Sequence, residues 1–395
     1  MKMKTFAACA LAGLVAMSLV AGCGGNKGGD KKGEVVKIGF LTPLTGGNAG
    51  LGVGMKNSAE LAVKQANESG KYPYKFELVV ADDASDPSTA VSAANKLIAD
   101  KNIIAVAGHF NSTCALATAP VFHKNGCPLV VAAAIHPGIT ANGYKEITRV
   151  MTPSNVQGIV SGKQAASEFN VKTICLINDR TDYGKTNASL FAENAEKQGA
   201  KVLSNDGISI GQQDFNAVLT NIKQKNPDCI YFGGMATEAA LIRRQMADLK
   251  IPALFVANSG IIADTFIKIA GPASEGCIAW NTGKPLADLP GGLKFSEDYK
   301  KAKFAEPHEN VGPFGYEAVA LIIDTVAKTK ITKDRMKFAD ALRKADFTGI
   351  LGKTTFDKNG DTTNDMIVTY VVENGKWVDL KKANVKVADH KIVKK

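Results

Sequence analysis

Gly108-His109-Phe110-Asn111-Ser112-Thr113 is the segment of this chain best suited to hold a charged ligand. It follows an apolar run that reads as a strand and opens a run with helical spacing. Free N–H groups and the positive end of a helix dipole would face outward there, and Ser112 and Thr113 add hydroxyl donors. Such a turn suits an anion the size of a carboxylate or phosphate. Plain N-capping by Asn111 or Ser112 is the alternative. Gly46-Gly47-Asn48-Ala49-Gly50-Leu51-Gly52-Val53-Gly54 is a second candidate. A dinucleotide fingerprint would need a third glycine at position 55, where Met55 stands. The loop either lets backbone approach a small ligand, since glycine has no Cβ, or is a permissive turn.

Other constellations exclude chemistry. Asp82-Asp83 with Asp86, and Asp357-Lys358-Asn359-Gly360-Asp361, have the composition of metal loops. The second misses EF-hand spacing, because its glycine falls at position four and no glutamate closes it. Both read as turns and caps. The histidines, His109, His123, His136, His308 and His390, are scattered. There is neither a Gly-x-Ser-x-Gly elbow nor a His-x-x-x-His pair. With no nucleophile, acid–base pair or metal set in view, no cofactor and no metal are expected, and the chain is not read as an enzyme.

The elements that would position these residues alternate from Val35 onward. Val35–Pro43, Tyr74–Asp82, Ile103–Gly108 and Pro128–Ala134 read as strands, separated by helical patterns over Leu51–Ser69, after Asp86-Pro87, and over Ser112–Lys124. A second series has strands at Thr173–Asn178, Lys201–Ile208, Cys229–Gly233, Ala253–Ala257 and Gly276–Trp280. Its helices lie near Ser154–Phe169, Gly184–Gln198, Phe215–Lys225, Thr237–Leu249 and Ile262–Ala270. Near-continuous apolar strands joined by helices call for parallel sheets covered on both faces. The fold class is therefore α/β, with two doubly wound lobes and a break near Arg149–Pro153. Helices return at Leu293–Lys303, Phe314–Lys328 and Lys333–Lys344. The chain then forms a hairpin of Met366–Val372 and Lys376–Leu380. In open α/β sheets ligands bind past the carboxyl ends of strands, so facing lobes would make a cleft lined by those loops.

The N-terminus says where the chain works. Lys2 and Lys4 precede an uncharged apolar stretch from Phe6 to Leu19, which is short for a membrane span. Gly22 and Cys23 close it, in the order of a secretory signal. Leu19-Val20-Ala21-Gly22-Cys23 resembles a bacterial lipoprotein signal, which implies cleavage before Cys23, lipid attachment to its sulfur, and a periplasmic or cell-surface location. Gly24 to Gly33 reads as a flexible tether reaching roughly 15–20 Å. What remains is long enough for two domains at roughly 100–200 residues each. The formal net charge is +10, and much of the surplus is terminal: Lys381 to Lys395 carries six Lys against one Asp and reads as a solvated tail. The secretory signal and the lack of an aromatic–basic motif argue against nucleic acid as a partner. Cys114, Cys127, Cys175, Cys229 and Cys277 are an odd set at spacings unsuited to zinc, and read as small core hydrophobes.

These residues together resemble the periplasmic Leu/Ile/Val-binding proteins, type I solute receptors of branched-chain amino acid ABC transporters. The likeness runs from about Val35 to Leu380. It rests on Ile38-Gly39 with Leu44-Thr45-Gly46, Asp82-Asp83-Ala84-x-Asp86-Pro87, Gly108-His109, Asp179 with Tyr183-Gly184, Phe232-Gly233-Gly234, and Asp357-x-x-Gly360-Asp361. The resemblance implies three crossover strands and hinge closure over ligand. With the signal over 1–22 and the tether over 23–34, the resemblance places lobe one over 35–152 plus 281–354 and lobe two over 153–280 plus 355–395. It also implies a monomer that delivers a small molecule to a membrane ABC permease.

Family site residues carry over in part. Ser112, flanked by Asn111 and Thr113, matches the hydroxyl that holds a ligand carboxylate. Ala133 matches a backbone contact beside it, and Tyr183 an aromatic that closes from lobe two. Other positions depart: Ile135 stands where a Thr helps bind the ligand amine, Leu51 for an aromatic, and Met235 for a Tyr. Ser259, with Asn258 beside it, replaces the acid that pairs with an α-ammonium. Ser85 and Asn111 replace the family's disulfide. A buried ammonium is costly unless paired, so two cargoes stand open: an aliphatic amino acid whose amine meets neutral acceptors, or a small apolar carboxylate or amide without an amine. A sensor domain serving a signalling partner is the other role that this fold would suit.

Overall fold

The computed structural model describes residues 33–395. The signal, Cys23 and nearly all of the 23–34 tether lie outside the described residues. Strands β1 (Glu34–Thr42), β2 (Tyr74–Asp82), β3 (Ile103–Gly108), β4 (Leu129–Val131) and β5 (Ile147–Arg149) form one sheet in the order β2-β1-β3-β4-β5, all parallel. Helices α1 (Ala49–Glu68), α2 (Pro87–Ala99), α3 (Ser112–Lys124) and the single turn α4 (Gly138–Ala141) connect them. The second sheet contains β6 (Thr173–Asn178), β7 (Lys201–Gly207), β8 (Cys229–Gly233), β9 (Leu254–Ala257) and β10 (Ile278–Asn281), paired in the parallel order β7-β6-β8-β9-β10. Its helices are α5 (Ser154–Lys163), extended by a π-turn to Glu168, α6 (Asp182–Glu196), α7 (Asn216–Lys225), α8 (Ala236–Asp248) and α9 (Asp264–Ala270).

Each sheet alternates its side chains between two apolar clusters, which explains strands that are apolar at every position. In β1, Val36, Ile38 and Phe40 join the cluster under α1, while Leu41 faces the cluster beneath α2 and α3. In β8, Ile230 and Phe232 face one way, Cys229 and Tyr231 the other. Asp86 caps α2, its carboxylate accepting from the Thr89 N–H at 2.7 Å with Pro87 in the first turn. Cys114, Cys127, Cys175, Cys229 and Cys277 are all buried and unpaired.

After β10 the chain returns to the first sheet with α10 (Gly292–Ala302), α11 (Gly312–Thr329) and α12 (Arg335–Arg343). α11 packs on α1 and both α11 and α12 touch β3. A small hairpin of β11 (Phe347–Gly349) and β12 (Gly352–Thr354) follows. The chain then passes Arg149, to which Asp361 bridges, and enters the second sheet as β13 (Val368–Glu373), antiparallel to β10, and β14 (Lys376–Asp379).

Two expectations change. The Lys381–Lys395 segment is not a solvated tail: β15 (Val385–Ala388) and β16 (Lys391–Lys394) pair as a hairpin. Val385, Val387 and Ile392 pack on the second lobe's core, an alternation that the lysine count concealed. The Gly46–Gly54 stretch is not all loop, because α1 begins at Ala49. A Cβ on Gly52 or Gly54 would collide with the Pro43 or Pro307 carbonyl, so these glycines admit neighbouring backbone rather than a ligand.

Glu317, on α11 and fully buried, accepts from the Ile350 N–H at 2.9 Å and so fixes the β11–β12 turn. Burial pushes its carboxyl up from 4.5 to about 8, against the lowering effect of the Leu351 and Ile350 N–H groups. Folding therefore takes up a proton between those values. This stability is full below the unfolded pKa and is lost as pH rises through about 8. Glu317→Gln should flatten the fall in urea-unfolding free energy between pH 5 and 9; an unchanged slope assigns that fall to another group.

Candidate functional site

The two parallel sheets have equivalent strand orders, and each reverses direction of winding at one place: between β1 and β3 in the first, and between β6 and β8 in the second. Crevices form at such switch points, past the strands' carboxyl ends. The loops after β1, β3, β6 and β8 supply both walls of the cleft, and α3 and α6 touch across it.

The loop after β3 is shaped by buried contacts. Gly108 has φ +137°, and a Cβ there would strike the Leu41 carbonyl. His109 is wholly buried, with Nδ1 2.9 Å from Asp83 Oδ2 and Nε2 2.8 Å from Thr118 Oγ1. Its carbonyl accepts from the N–H groups of Ala133 and Ala134, both at 3.1 Å. One histidine thus ties the β3 loop to the β2 loop, the α3 helix and the segment leading to Ile135. Nothing at sequence level singled out Asp83 or Thr118 as its partners. Asp82 instead accepts from Leu44 N–H and Thr45 Oγ1, which holds the loop after β1.

Asn111 stands at the N-cap of α3, but its side chain makes no capping bond, and its Oδ1 is a buried acceptor without a partner. Nor does Ser112 cap: its hydroxyl accepts from the His136 N–H at 3.2 Å. The first-turn N–H groups therefore remain free to meet a ligand. Asn111, Ser112 and Thr113 line a wide outer chamber together with Asp179, Tyr183, Met235 and Glu238. Leu51, Ala133, Ile135, Tyr183, Met235 and Ser259 line a tight inner pocket with about 30 Å³ of open space. The sequence-predicted residues thus divide between two adjoining chambers, and Tyr183 and Met235 belong to both.

Tyr183 sits in the first turn of α6, which Thr181 caps by accepting from the Gly184 N–H at 2.9 Å. Its ring packs against the first lobe's core. Its hydroxyl lies 3.4 Å from Ser259 Oγ, and burial holds it well above the usual tyrosine range. A Cβ on Gly260 would crowd this hydroxyl at 2.9 Å, so the glycine leaves the ring its place. Asp179 is buried, with Oδ1 accepting from Thr181 N–H at 3.0 Å and Thr181 Oγ1 at 2.6 Å. Burial raises its carboxyl above the usual range.

Phe110, Met151, Gly260, Ile262, Ala263, Asn310 and Val311 also line the inner pocket. They come from four separate segments, and apart from Asn310 their types in sequence look like ordinary core. Phe110 alone carried a signal, through its place beside Asn111.

A family model described as "Periplasmic binding protein" matches residues 35–376. The chain belongs to that family. A Leu/Ile/Val-binding protein homolog 2 of Brucella abortus (strain 2308) is 32% identical over 378 residues, covering 95% of this chain and 97% of the relative. The leucine-, isoleucine-, valine-, threonine-, and alanine-binding protein of Pseudomonas aeruginosa is 32% identical over 374 residues, covering 93% and 94%. The crystal structure of leucine binding protein LivK from Thermotoga maritima has a TM-score of 0.79 at 30% identity, covering 87% of this chain and 97% of that one. The fold is that of type I periplasmic binding proteins, and the relatives are solute-binding proteins. Among the described residues no helix is long and apolar enough to cross a membrane.

The His109 network gives a direct test. Thr118→Val keeps the side-chain shape and leaves His109 Nε2 buried without a partner. The cost should be about 1–3 kcal/mol, read as a lower urea midpoint at unchanged m-value. An unshifted midpoint would remove Thr118 from the network.

Proposed function

We propose that this chain is the lipid-anchored receptor of an ABC importer, capturing a small apolar carboxylate between its lobes and delivering it to the membrane permease. The observation that carries this reading is the uncapped N-terminus of α3 on the wall of a chamber of about 740 Å³ that adjoins a tight apolar pocket. The free N–H groups and the Ser112 hydroxyl hold the carboxylate. Leu51, Ala133 and Ile135 receive its apolar portion from lobe one, residues 35–152 plus 281–354. Tyr183, Met235 and Ser259 close on it from lobe two, residues 153–280 plus 355–395. The branched-chain amino acids named for the relatives set the size class of the cargo. No step of catalysis is assigned, no metal or cofactor is required, and the receptor acts as a monomer.

Calorimetry with a panel of aliphatic amino acids and their deaminated carboxylates tests the site. Ser112→Ala should weaken the tightest binder by an order of magnitude or more, the loss of one charge-assisted hydrogen bond. An unchanged Kd removes Ser112 from the site. The anchor rests on Cys23: Cys23→Ala should abolish incorporation of labelled fatty acid and shift the mature protein from the membrane to the soluble fraction. Retained labelling would place the lipid elsewhere.

A further inference from the structure

Resting on the small-carboxylate reading above, we propose that the cargo carries no α-ammonium: the site takes an apolar carboxylate whose α-carbon bears hydrogen or an oxygen acceptor. An ammonium brings three donors and a charge, and buried without an anionic partner it is strongly disfavoured. The inner pocket presents no ionisable acid to it. Its wall is apolar at Ile135, Met151 and Met235, and its polar side chains are the neutral Tyr183, Ser259 and Asn310.

The second-lobe segment that carries Ser259 and Gly260 adds no acid to the wall. Asn258 is wholly buried, and its Oδ1 accepts from the Gly260 N–H at 3.0 Å, which fixes the amide's orientation. Its Nδ2 is left as a buried donor with no partner. Asn258 stands behind the lining residues Ser259 and Gly260 and is not itself part of the pocket wall. The Tyr183 hydroxyl keeps its proton and stands next to Ser259.

The acids nearest the pocket do not supply the missing charge. Asp179, Asp182 and Glu238 line the outer chamber and none of them lines the inner pocket; Asp179 is engaged by Thr181, and Glu238 Oε1 accepts from the Gly211 N–H at 2.9 Å. Glu309 and Asp264 adjoin the lining residues Asn310 and Ala263 in sequence, and neither lines the pocket.

Isothermal titration of the intact mature protein with leucine, 4-methyl-2-oxopentanoate and 4-methylpentanoate decides the matter. At least one amine-free carboxylate should bind tenfold or more tightly than leucine. Ser259→Glu, checked for native circular dichroism, should narrow or reverse that ratio by restoring an anion to the wall. Leucine binding more tightly than both amine-free acids overturns the proposal and leaves the receptor reading intact. Failure of all three to bind counts against the small-carboxylate reading itself, and the proposal falls with it.

Discussion

The buried guanidinium of Arg149 ties the edge of the first sheet to the crossing segment at Asp361, and the backbone leading from Ile135 is held by it. Arg149 ends β5, is wholly buried, and donates from Nε and Nη2 to Asp361 Oδ1 at 2.8 and 2.6 Å. Nη1 donates to the carbonyls of Ala134 and His136, at 3.2 and 2.8 Å, and Nη2 also reaches Thr140 Oγ1 at 3.0 Å. One planar group thus joins the first sheet, the segment carrying Ile135, and the stretch of chain at Asp361 that leads to β13. A lysine could not make these bonds from one position. Burial disfavours the cation and Asp361 favours it. Removing one partner from such a pair costs about 3–5 kcal/mol, because the other charge stays buried.

Much of this architecture was legible because parallel strands must be apolar on both faces. The expected strands at Tyr74–Asp82, Ile103–Gly108, Thr173–Asn178 and Cys229–Gly233 have the observed bounds. The Asp86-Pro87 start is a local signal, and local bonds honour it. Less legible were features whose meaning depends on distant neighbours. Gly52 and Gly54 look like turn residues until Pro43 and Pro307 are seen against them. The lysines near the C-terminus outweighed the alternating Val385 and Val387 on inspection, yet long lysine stems are compatible with an exposed strand face.

The site shows the same division. Ser112 and its neighbours could be singled out as candidates because a strand, a turn and a helix start are contiguous in sequence. Val311 and Met151 could not, since a pocket wall and a core wall use the same side chains. The His109 network lay between these cases. His109 drew notice within the anion turn, but its buried partners emerged only when the β2 loop and α3 were seen to meet around it. That network fixes the loop after β3, so that its free donors are held in place by the fold alone.

The five buried cysteines carry a consequence for how the protein matures. Burial pushes their thiols up, Cys127 to about 11 and Cys277 to about 12, so almost none is thiolate near neutral pH. They neither invite oxidants nor require a partner. The described body therefore reaches its final form without a disulfide oxidase or disulfide isomerase.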